Sequence, residues 1–596
     1  MRGFRLSQNA TGMLPPVVGV SQASSEQTMH DDGSKAAPVV SSYPHPYELA
    51  ELRSGFCPSE AEKAVIEERL ARANEKRMAI TEELLRSDDP KTQVQLEELV
   101  DTVNNYMAAQ HCLLSPIRRL PKDILSRIFK FYRPELVFFD PSPTENDFVI
   151  RQICSHWRSV VVGCNELWAD FVIDFKGAMD RLEEPDPSLL VDQANRLLNV
   201  CIVRSGDHPI RFGLFMPTSI VGYASDLLAQ LWAVTDRWKL VSLNMDVRQF
   251  ASHAPKHYEL PILHEVVIAD READYRPDLK LFSSAPKLTR LELDFRRPKQ
   301  LGLPWSQITY LSWCTPLLNA GDYIDALQRM PNLEEMELAN KELESTVSGQ
   351  SVRLPRLRTL KIDAGGRSFK NVMQAIEAPA LTTLHIYPVL ASEYDDTLSA
   401  KPVVAFIRRS GCHLKELSLK RFEPPGVMQI LEMTPDLEHL MLDSRNLWRK
   451  GISEILEALV GPDPSNPLQT TSTRMLLKLR SFYYNCGIAE DIPLMEMLTL
   501  MRVRSPKEIK DPSEGVPIES ATLEYCVTID EAHFEEFEKA ALEDIGVDIT
   551  MKKVLGGSLV KMTWPKELSK GVGKRTGSIE GEIARKESRE NVLEMD

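Results

Sequence analysis

One short pattern recurs between residues 237 and 485 of this 596-residue chain and constrains its fold more than any other feature. The pattern is L-x-x-L-x-L with apolar substitutions, and its ten occurrences are led by Leu240, Leu263, Leu288, Ile308, Leu333, Leu357, Leu381, Leu414, Leu437 and Leu479. Seven of the nine spacings between these leading residues are 20 to 25 residues, and the other two are 33 and 42. A regular period of this length is typical of proteins built from stacked structural units.

Each occurrence predicts a short strand with one buried face. In PKLTRLELD, Leu291 and Leu293 fall on one side of the strand, and Arg290, Glu292 and Asp294 alternate to the other. Apolar segments between strands, such as YIDALQRM and KNVMQAIEA, predict helices that pack on the outer side. The period is that of leucine-rich repeats, about 20–29 residues, but the asparagine that usually follows the last leucine is mostly missing. We therefore expect an irregular leucine-rich-repeat solenoid over residues 236–565.

Two charged helices are predicted before the repeats. Residues 1–55 are rich in Ser, Gly, Pro, Gln and His without apolar periodicity, which favours disorder. A capping-box pattern at Ser59 and Glu62 then begins an apolar-periodic helix, and a second helix follows the break SDDP. Residues 56–112 are therefore expected to form a helical hairpin or short coiled coil. The heptad pattern is too short to decide between local packing and self-association.

A short and strongly amphipathic helix follows in PIRRLPKDILSRIFKFY, residues 116–132. Its apolar stripe consists of Leu120, Ile124, Leu125, Ile128, Phe129 and Tyr132. Pro121 suits the first helical position, and Asp123 lies in the first turn, where a carboxylate favours the helix dipole. Because the stripe is apolar, we expect other helices of the chain or a partner protein to cover it.

Helical spacing resumes in FVIRQICSHWRSVVVGCNELWADFVIDF, so a bundle of about three short helices is expected over residues 113–170. Cys154, His156 and Cys164 lack a fourth ligand at suitable spacing, and small buried cysteines explain them better than a metal site. No metal is therefore expected. Residues 171–235 are expected to form a connecting or capping segment. The predicted fold class is mainly α, with an α/β repeat region.

Composition limits the class of function. The net charge of −15 disfavours a protein whose partner is nucleic acid. No apolar run approaches the roughly 18 residues of a membrane span, and the N-terminus lacks the apolar region of a signal peptide. Nine cysteines without a C-x-x-C pair suggest neither a disulfide framework nor a zinc finger. The expected location is the cytoplasm or nucleus, with no membrane partner and no cofactor.

The segments PIRRLPKDILSRIF and ICSHWRSVVVGCNELW resemble the two halves of the F-box domain. Their motifs, Pro-x-x-x-Leu-Pro, Ile-Leu-x-x-Ile-Phe, Cys-x-x-Trp-Arg and Leu-Trp, follow in the family's order. The resemblance is to the form common in mushroom-forming fungi, in which a helical hairpin precedes the F-box and leucine-rich repeats follow it. The ending ALEDIGVDITM is similar to that of such proteins, whereas the insertion RPELVFFDPSPTEND between the halves departs from the pattern.

The resemblance implies a substrate-recognition subunit of a cullin–RING (SCF-type) ubiquitin ligase. The F-box would bind a Skp-family adaptor, and the repeats would bind the protein substrate. The residues implied on the adaptor side are Pro116, Leu120, Pro121, Ile124, Leu125, Ile128 and Phe129. For Ile128 and Phe129, a role in holding the helices together is an equal alternative. Trp157 and Trp168 are expected in the core.

An enzyme and an interaction scaffold are the other two classes of function that the sequence allows us to consider. GVGKRT at residues 571–576 departs from a phosphate loop in its glycine spacing, and no motif of a metalloprotease, hydrolase or dinucleotide-binding enzyme is present. An enzyme is therefore not expected, and the charged residues 566–596 are interpreted as a disordered tail. The alternative function is a leucine-rich-repeat interaction scaffold without a ligase role.

The third, fifth and seventh places of each repeat are expected to form the surface that binds the substrate. The acids there are Asp246, Glu265, Glu292, Asp294, Glu335, Glu337, Asp363, Glu416 and Asp443, and the bases are Arg290, Lys361 and Lys420. The candidate aromatic anchors are His385, Tyr387 and Tyr483. This surface predicts a substrate segment with a Lys or Arg and an apolar anchor. The alternative is a solvated face, with the substrate bound at loops 388–402 and 444–475.

Overall fold

The chain divides into two compact units, Met1–Arg237 (unit 1) and Trp238–Asp596 (unit 2). The computed structural model describes residues 52, 54–132, 136–138, 153–182, 185–270, 280–295, 301–314, 317–318, 320–340, 342–343, 351–364, 366–387, 398–444, 452–461, 474–487, 494–511, 515–525, 547–555 and 558–564. The disorder predicted for residues 1–51 and 566–596 lies outside the described residues.

Unit 1 begins with two long helices that pack against each other. Its elements are α1 (Glu60–Arg86), α2 (Pro90–Leu114), a 3-10 turn (Pro116–Arg119), α3 (Lys122–Tyr132), β1 (Leu136–Phe138), α4 (Ser155–Gly163), α5 (Asn165–Trp168), β2 (Asp170–Asp174), α6 (Phe175–Arg181), α7 (Pro187–Ser205), β3 (Ile210–Phe215), α8 (Thr218–Val221), α9 (Ser225–Trp232) and a second 3-10 turn (Thr235–Arg237). The capping box predicted at Ser59 and Glu62 is present at the start of α1. Ile66 and Leu70 form one apolar cluster with Leu113, so these two helices form a hairpin with its own core.

The rest of unit 1 contains a small parallel sheet that the sequence analysis did not predict. Strand β1 pairs in parallel with β2, and β2 pairs in parallel with β3. β1 falls inside the insertion between the two F-box-like halves, and β2 and β3 belong to the segment expected only to connect or cap. The sequence of β2 favours a strand because buried and half-buried residues alternate along it. Phe171 and Ile173 are buried, and their neighbours are half-buried.

Unit 2 alternates strands with helices or turns. Its elements are β4 (Trp238–Asn244), α10 (Val247–Ser252), β5 (Glu265–Asp270), β6 (Arg290–Phe295), a 3-10 turn (Trp305–Gln307), β7 (Tyr310–Trp313), β8 (Leu317–Leu318), α11 (Ala320–Gln328), β9 (Glu335–Asn340), β10 (Glu342–Leu343), β11 (Val352–Arg353), β12 (Thr359–Ala364), α12 (Gly366–Ala375), β13 (Ile376–Glu377), β14 (Thr383–Ile386), α13 (Lys401–Ser410), β15 (Glu416–Lys420), α14 (Pro424–Glu432), β16 (His439–Asp443), α15 (Ile452–Val460), β17 (Ser481–Gly487), α16 (Leu494–Val503), β18 (Ser520–Tyr525), β19 (Asp548–Leu555) and β20 (Ser558–Trp564). Helices α11 and α12 lie at the predicted segments YIDALQRM and KNVMQAIEA.

In unit 2, β8 pairs with β10 and β11 pairs with β13, which gives two small two-stranded parallel sheets. The other strands of unit 2 form one long sheet that does not close. They follow in the order β4, β5, β6, β7, β9, β12, β14, β15, β16, β17, β18, β19 and β20. Every neighbouring pair is parallel except the last, in which β20 runs antiparallel to β19. The fold class is therefore mixed α/β with a long parallel sheet, which agrees with the α/β repeat region of the predicted fold class. Strands in chain order are compatible with a solenoid.

The alternation predicted within the repeats is present. Leu291 and Leu293 are buried, whereas Glu292 between them is half-buried. The fourth-place residues pair with one another from strand to strand and all lie in the core: Val266, Leu291, Leu311, Met336, Leu360, Leu384, Leu417, Leu440 and Phe482. These residues form one continuous apolar row in the core of unit 2, and burial of apolar surface of this kind favours folding.

The predicted register of the first repeat was wrong by two residues. Val241 pairs with Val266, and both are fully buried, so the leading position belongs to Trp238 and not to Leu240. Asp246 consequently lies beyond the end of β4. Its carboxylate caps α10 by accepting the backbone N–H of Arg248 at 2.9 Å. Asp246 is therefore a helix cap and not part of the substrate-facing surface expected from the sequence.

Candidate partner-binding surfaces

The predicted apolar helix is α3, and local sequence determines where it begins. Pro121 precedes it, and the carbonyl of Pro121 accepts the backbone N–H of Leu125 at 3.0 Å. Asp123 lies in the first turn and Lys130 in the last, as the helix dipole favours. The 3-10 turn before it ends with the N–H of Leu120 donating to the carbonyl of Ile117 at 3.3 Å.

The apolar stripe of α3 splits into a buried side and an exposed side. Leu125 and Phe129 are 0% and 2% exposed, and the Phe129 ring lies 4.9 Å from that of Trp157 on α4. Ile124 and Ile128 are 36% and 37% exposed. Because one residue advances about 100° around a helix, the buried pair faces a different direction from the exposed pair.

Leu125 was therefore placed wrongly on the adaptor side, and Phe129 takes its alternative role of holding the helices together. Leu125 and Phe129 are covered by the chain's own helices and present no surface to another protein. Pro116 and Pro121 are exposed, and Leu120 is half-buried, so these three remain available.

The exposed side of α3 extends further than the sequence indicated. Phe131 and Tyr132, at the end of the helix, are 85% and 68% exposed. We call Pro121, Ile124, Ile128, Phe131 and Tyr132 the exposed stripe. The sequence analysis included Tyr132 in the apolar stripe but missed Phe131. The helical wheel could have identified Phe131, because it lies seven residues after Ile124.

Arg118 holds the start of this region against the hairpin. Its guanidinium donates to the carbonyls of Cys112 at 2.8 Å, Leu52 at 2.9 Å and Phe56 at 3.3 Å. The hydroxyl of Ser155, at the start of α4, donates to the carbonyl of Ser54 at 2.7 Å. Leu52, Ser54 and Phe56 therefore connect the 3-10 turn before α3 with the start of α4. Part of the segment expected to be disordered is consequently ordered.

Of the cysteines and tryptophans expected in the core, Cys154 and Trp168 are buried, whereas Cys164 and Trp157 are half-buried. Cys154 is buried, and its sulfur accepts the backbone N–H of Trp157 at 3.4 Å. Trp168 is buried, and its Nε1 donates to the carbonyl of Val161 at 2.9 Å. Within the described ranges, no three His, Cys, Asp or Glu side chains are grouped as a metal site would need. None of the helices in those ranges is both long and apolar enough to cross a bilayer.

The second candidate surface is the polar face of the sheet in unit 2. The fifth-place residues Glu292, Ser312, Glu337, Lys361, His385, Ser418, Met441 and Tyr483 pair with one another on successive strands. We call this set the outer row. Arg290, Tyr310 and Glu335 pair on the third places beside it. Four of the candidate substrate residues, Glu292, Glu337, His385 and Tyr483, therefore lie in one line, with Glu335 adjacent.

Several of the predicted acids have cross-strand partners. Lys361 donates to Glu337 at 2.6 Å, and His385 Nε2 lies 2.9 Å from Glu416. The nearest charged atoms of Arg290 and Glu265 are 3.8 Å apart, and those of Lys420 and Asp443 are 3.9 Å apart. The acidic surface expected from the sequence is therefore less negative than its composition suggested.

The remaining candidates differ in how far they are accessible. Asp294 is buried and cannot be an exposed contact. The Tyr483 hydroxyl donates to Glu524, and burial raises the pKa of Tyr483. Tyr387 meets the His385 ring edge-on at 5.9 Å. Of the three predicted aromatic anchors, Tyr483 is therefore already held by a neighbouring strand.

Glu292 forms no ion pair with any of the residues that the structure describes. Burial raises the pKa of its carboxyl group, the charges of Glu265 and Glu337 raise it further, and Arg290 only partly opposes them. The charged form is thus disfavoured in the folded chain.

Glu292→Gln should raise the melting temperature at neutral pH. A carboxyl group whose pKa is raised on folding contributes less stability as the pH rises from its unfolded pKa through its folded pKa. The stabilisation by the substitution should therefore shrink as the pH falls below the raised pKa. Thermal melts of the variant and wild type across acidic and neutral pH measure this, with the exposed Glu432→Gln as control. A gain that grows as the pH falls would contradict the account.

Comparisons with known proteins add no relative. No family model matches the chain, and no curated protein is significantly similar to it.

Proposed function

We propose that the chain is a substrate-recognition subunit of a cullin–RING (SCF-type) ubiquitin ligase. Residues 113–170 act as an F-box that binds a Skp-family adaptor. The irregular leucine-rich repeats of unit 2 bind the substrate. The sequence resemblance described above supports the first assignment, and the open parallel sheet is compatible with the second.

The observation that carries the proposal is the exposed stripe of α3. A helix of a folded unit normally turns its apolar residues to the core, as α3 does with Leu125 and Phe129. The same helix turns a second apolar line, Ile124, Ile128 and Phe131, to solvent. Contiguous exposed apolar surface of this kind marks a protein interaction site.

The charges around the stripe define its edge. Arg127 and Lys122 are exposed, and Lys130 forms an ion pair with Glu166 on α5. A polar rim around an apolar centre is typical of interfaces that exclude water at their centre. The stripe therefore fits a protein partner with an apolar surface and acidic groups at its margin.

Co-purification tests the proposal. The purified full chain, immobilised, should retain a purified Skp-family adaptor, and the adaptor should in turn recruit a cullin. Failure to retain the adaptor would contradict the ligase role and leave a repeat scaffold as the explanation of unit 2.

A further inference from the structure

The polar face of unit 2 divides into two halves with different chemistry. Around β6, β7 and β9 lie five carboxylates, those of Glu265, Glu292, Asp294, Glu335 and Glu337, against the two bases Arg290 and Lys361. Around β14 to β17 the charged side chains lie in cross-strand pairs, and Met441, between Ser418 and Tyr483 in the outer row, is 37% exposed.

Two carboxylates of the first half have no partner among the described residues. Glu292 makes no hydrogen bond or ion pair there, and like charges surround it. The Oε2 atom of Glu335 is shielded from solvent and receives no hydrogen bond from that part of the chain. A carboxylate oxygen removed from water without a donor is unfavourable. Glu292 and the Oε2 atom of Glu335 are therefore acceptors of this half that receive no hydrogen bond from the described residues.

A residue with a small side chain separates two of these carboxylates. Between Glu292 on β6 and Glu337 on β9 lies Ser312 of β7, whose small side chain is buried. Two strand spacings separate the flanking residues by about 9.6 Å. A guanidinium or ammonium group above Ser312 would lie between the two carboxylates. Beside Ser312, the Tyr310 ring is covered by the Arg290 guanidinium, 3.8 Å from the ring centroid.

Met441 offers a second contact of opposite character. Its register partners in the outer row are Ser418 and Tyr483, so an exposed thioether stands among polar groups. The methionine side chain is flexible and polarizable, so it can pack against apolar side chains of different shapes. From β7 to β16 the path crosses five strand spacings, about 24 Å, which an extended peptide spans with about seven residues.

We propose that the outer row binds an extended peptide that places a Lys or Arg over Ser312, between Glu292 and Glu337, and an apolar side chain on Met441, about seven residues away. The proposal rests on the proposed substrate-receptor function and names the class of substrate segment. Of the acids expected on the substrate-binding surface, it assigns the contact with the peptide to Glu292, Glu335 and Glu337. It also replaces the predicted anchor Tyr483 by Met441.

Synthetic peptides test the spacing. The probes are fluorescent Gly/Ser peptides with one Arg and one Leu at the proposed separation, at half of it, or at one and a half times it. Binding to the full chain is measured by fluorescence anisotropy at low and high salt. We expect the proposed separation to bind most tightly and to weaken with salt. Equal binding at all three separations, or no binding at any, would overturn the inference.

Variants test the residues. Glu292→Gln with Glu335→Gln should weaken the best peptide by about fivefold or more, and Met441→Ser should reduce the preference for Leu over Ser at the apolar position. The matched control is Glu432→Gln with Glu457→Gln, two exposed acids on α14 and α15. An equal loss in the control would overturn the inference. Adaptor retention is measured on the same proteins. If the adaptor is retained but the peptides do not bind as expected, the peptide proposal is wrong and the ligase role is not.

Discussion

Ile124→Asp with Ile128→Asp should abolish retention of the Skp-family adaptor while leaving unit 1 folded. Both side chains are exposed in the free chain, so the charges cost little stability there. In the proposed interface the same carboxylates would be buried without partners, which costs about 3–5 kcal/mol. We therefore expect the affinity to fall by more than about a hundredfold. Calorimetric titration gives the affinity, and circular dichroism verifies the fold.

The matched control is Leu189→Asp with Val203→Asp. These two residues are exposed apolar side chains of the same unit, on α7. They lie outside the exposed stripe, so adaptor binding should not change. Binding that survives the α3 substitution, or that is lost equally in the α7 control, would contradict the placement of the interface.

Phe129→Ala should destabilise unit 1 by about 3–5 kcal/mol, the usual cost of removing a buried aromatic ring. Phe129 is fully buried against Trp157, so the substitution leaves a cavity between α3 and α4. The loss is measured by chemical denaturation followed by tryptophan fluorescence.

Phe131→Ala is the companion variant, because the same residue type lies two positions away on the exposed side. Its ring is 85% exposed, so the free energy of unfolding should change by less than about 0.5 kcal/mol. Adaptor affinity should nevertheless fall. If both variants lost stability equally, the assignment of the two sides of α3 would be wrong.

Helical periodicity predicted the apolar residues of α3, but it could not predict which of them are buried and which are exposed. The six residues of the predicted stripe span about half of the helix circumference at 100° per residue. Which part is covered depends on where α4 packs, and Trp157 approaches from the side of Phe129. That position is a tertiary property, and the local sequence carries no signal for it.

The repeats were more predictable because burial repeats with every strand. A single face of apolar residues at alternate positions specifies the strand and its orientation together. The register of the first repeat was predicted wrongly because Trp238 occupies the leading position. Leu240, two residues later, was taken for the leading leucine. One further repeat was missed at β18, where Ile518, Ala521 and Leu523 occupy the apolar places and alanine weakens the pattern.

The charge of the sheet face was predicted least well. Pairs such as Lys361 with Glu337 join residues 24 positions apart in the sequence, and they form only if both registers are right. Composition alone therefore counted Glu337 and Glu416 as free acids. The pairing of the strands identified Glu292 and Glu335 as the unmatched ones.

Light scattering of the full chain mixed with a purified Skp-family adaptor and a purified cullin tests the ligase role most directly. The account predicts a single eluting species whose mass equals one copy of each of the three proteins. That species should disappear with Ile124→Asp and Ile128→Asp. Separate elution of the wild-type chain, with the adaptor and cullin together in another peak, would contradict the proposal.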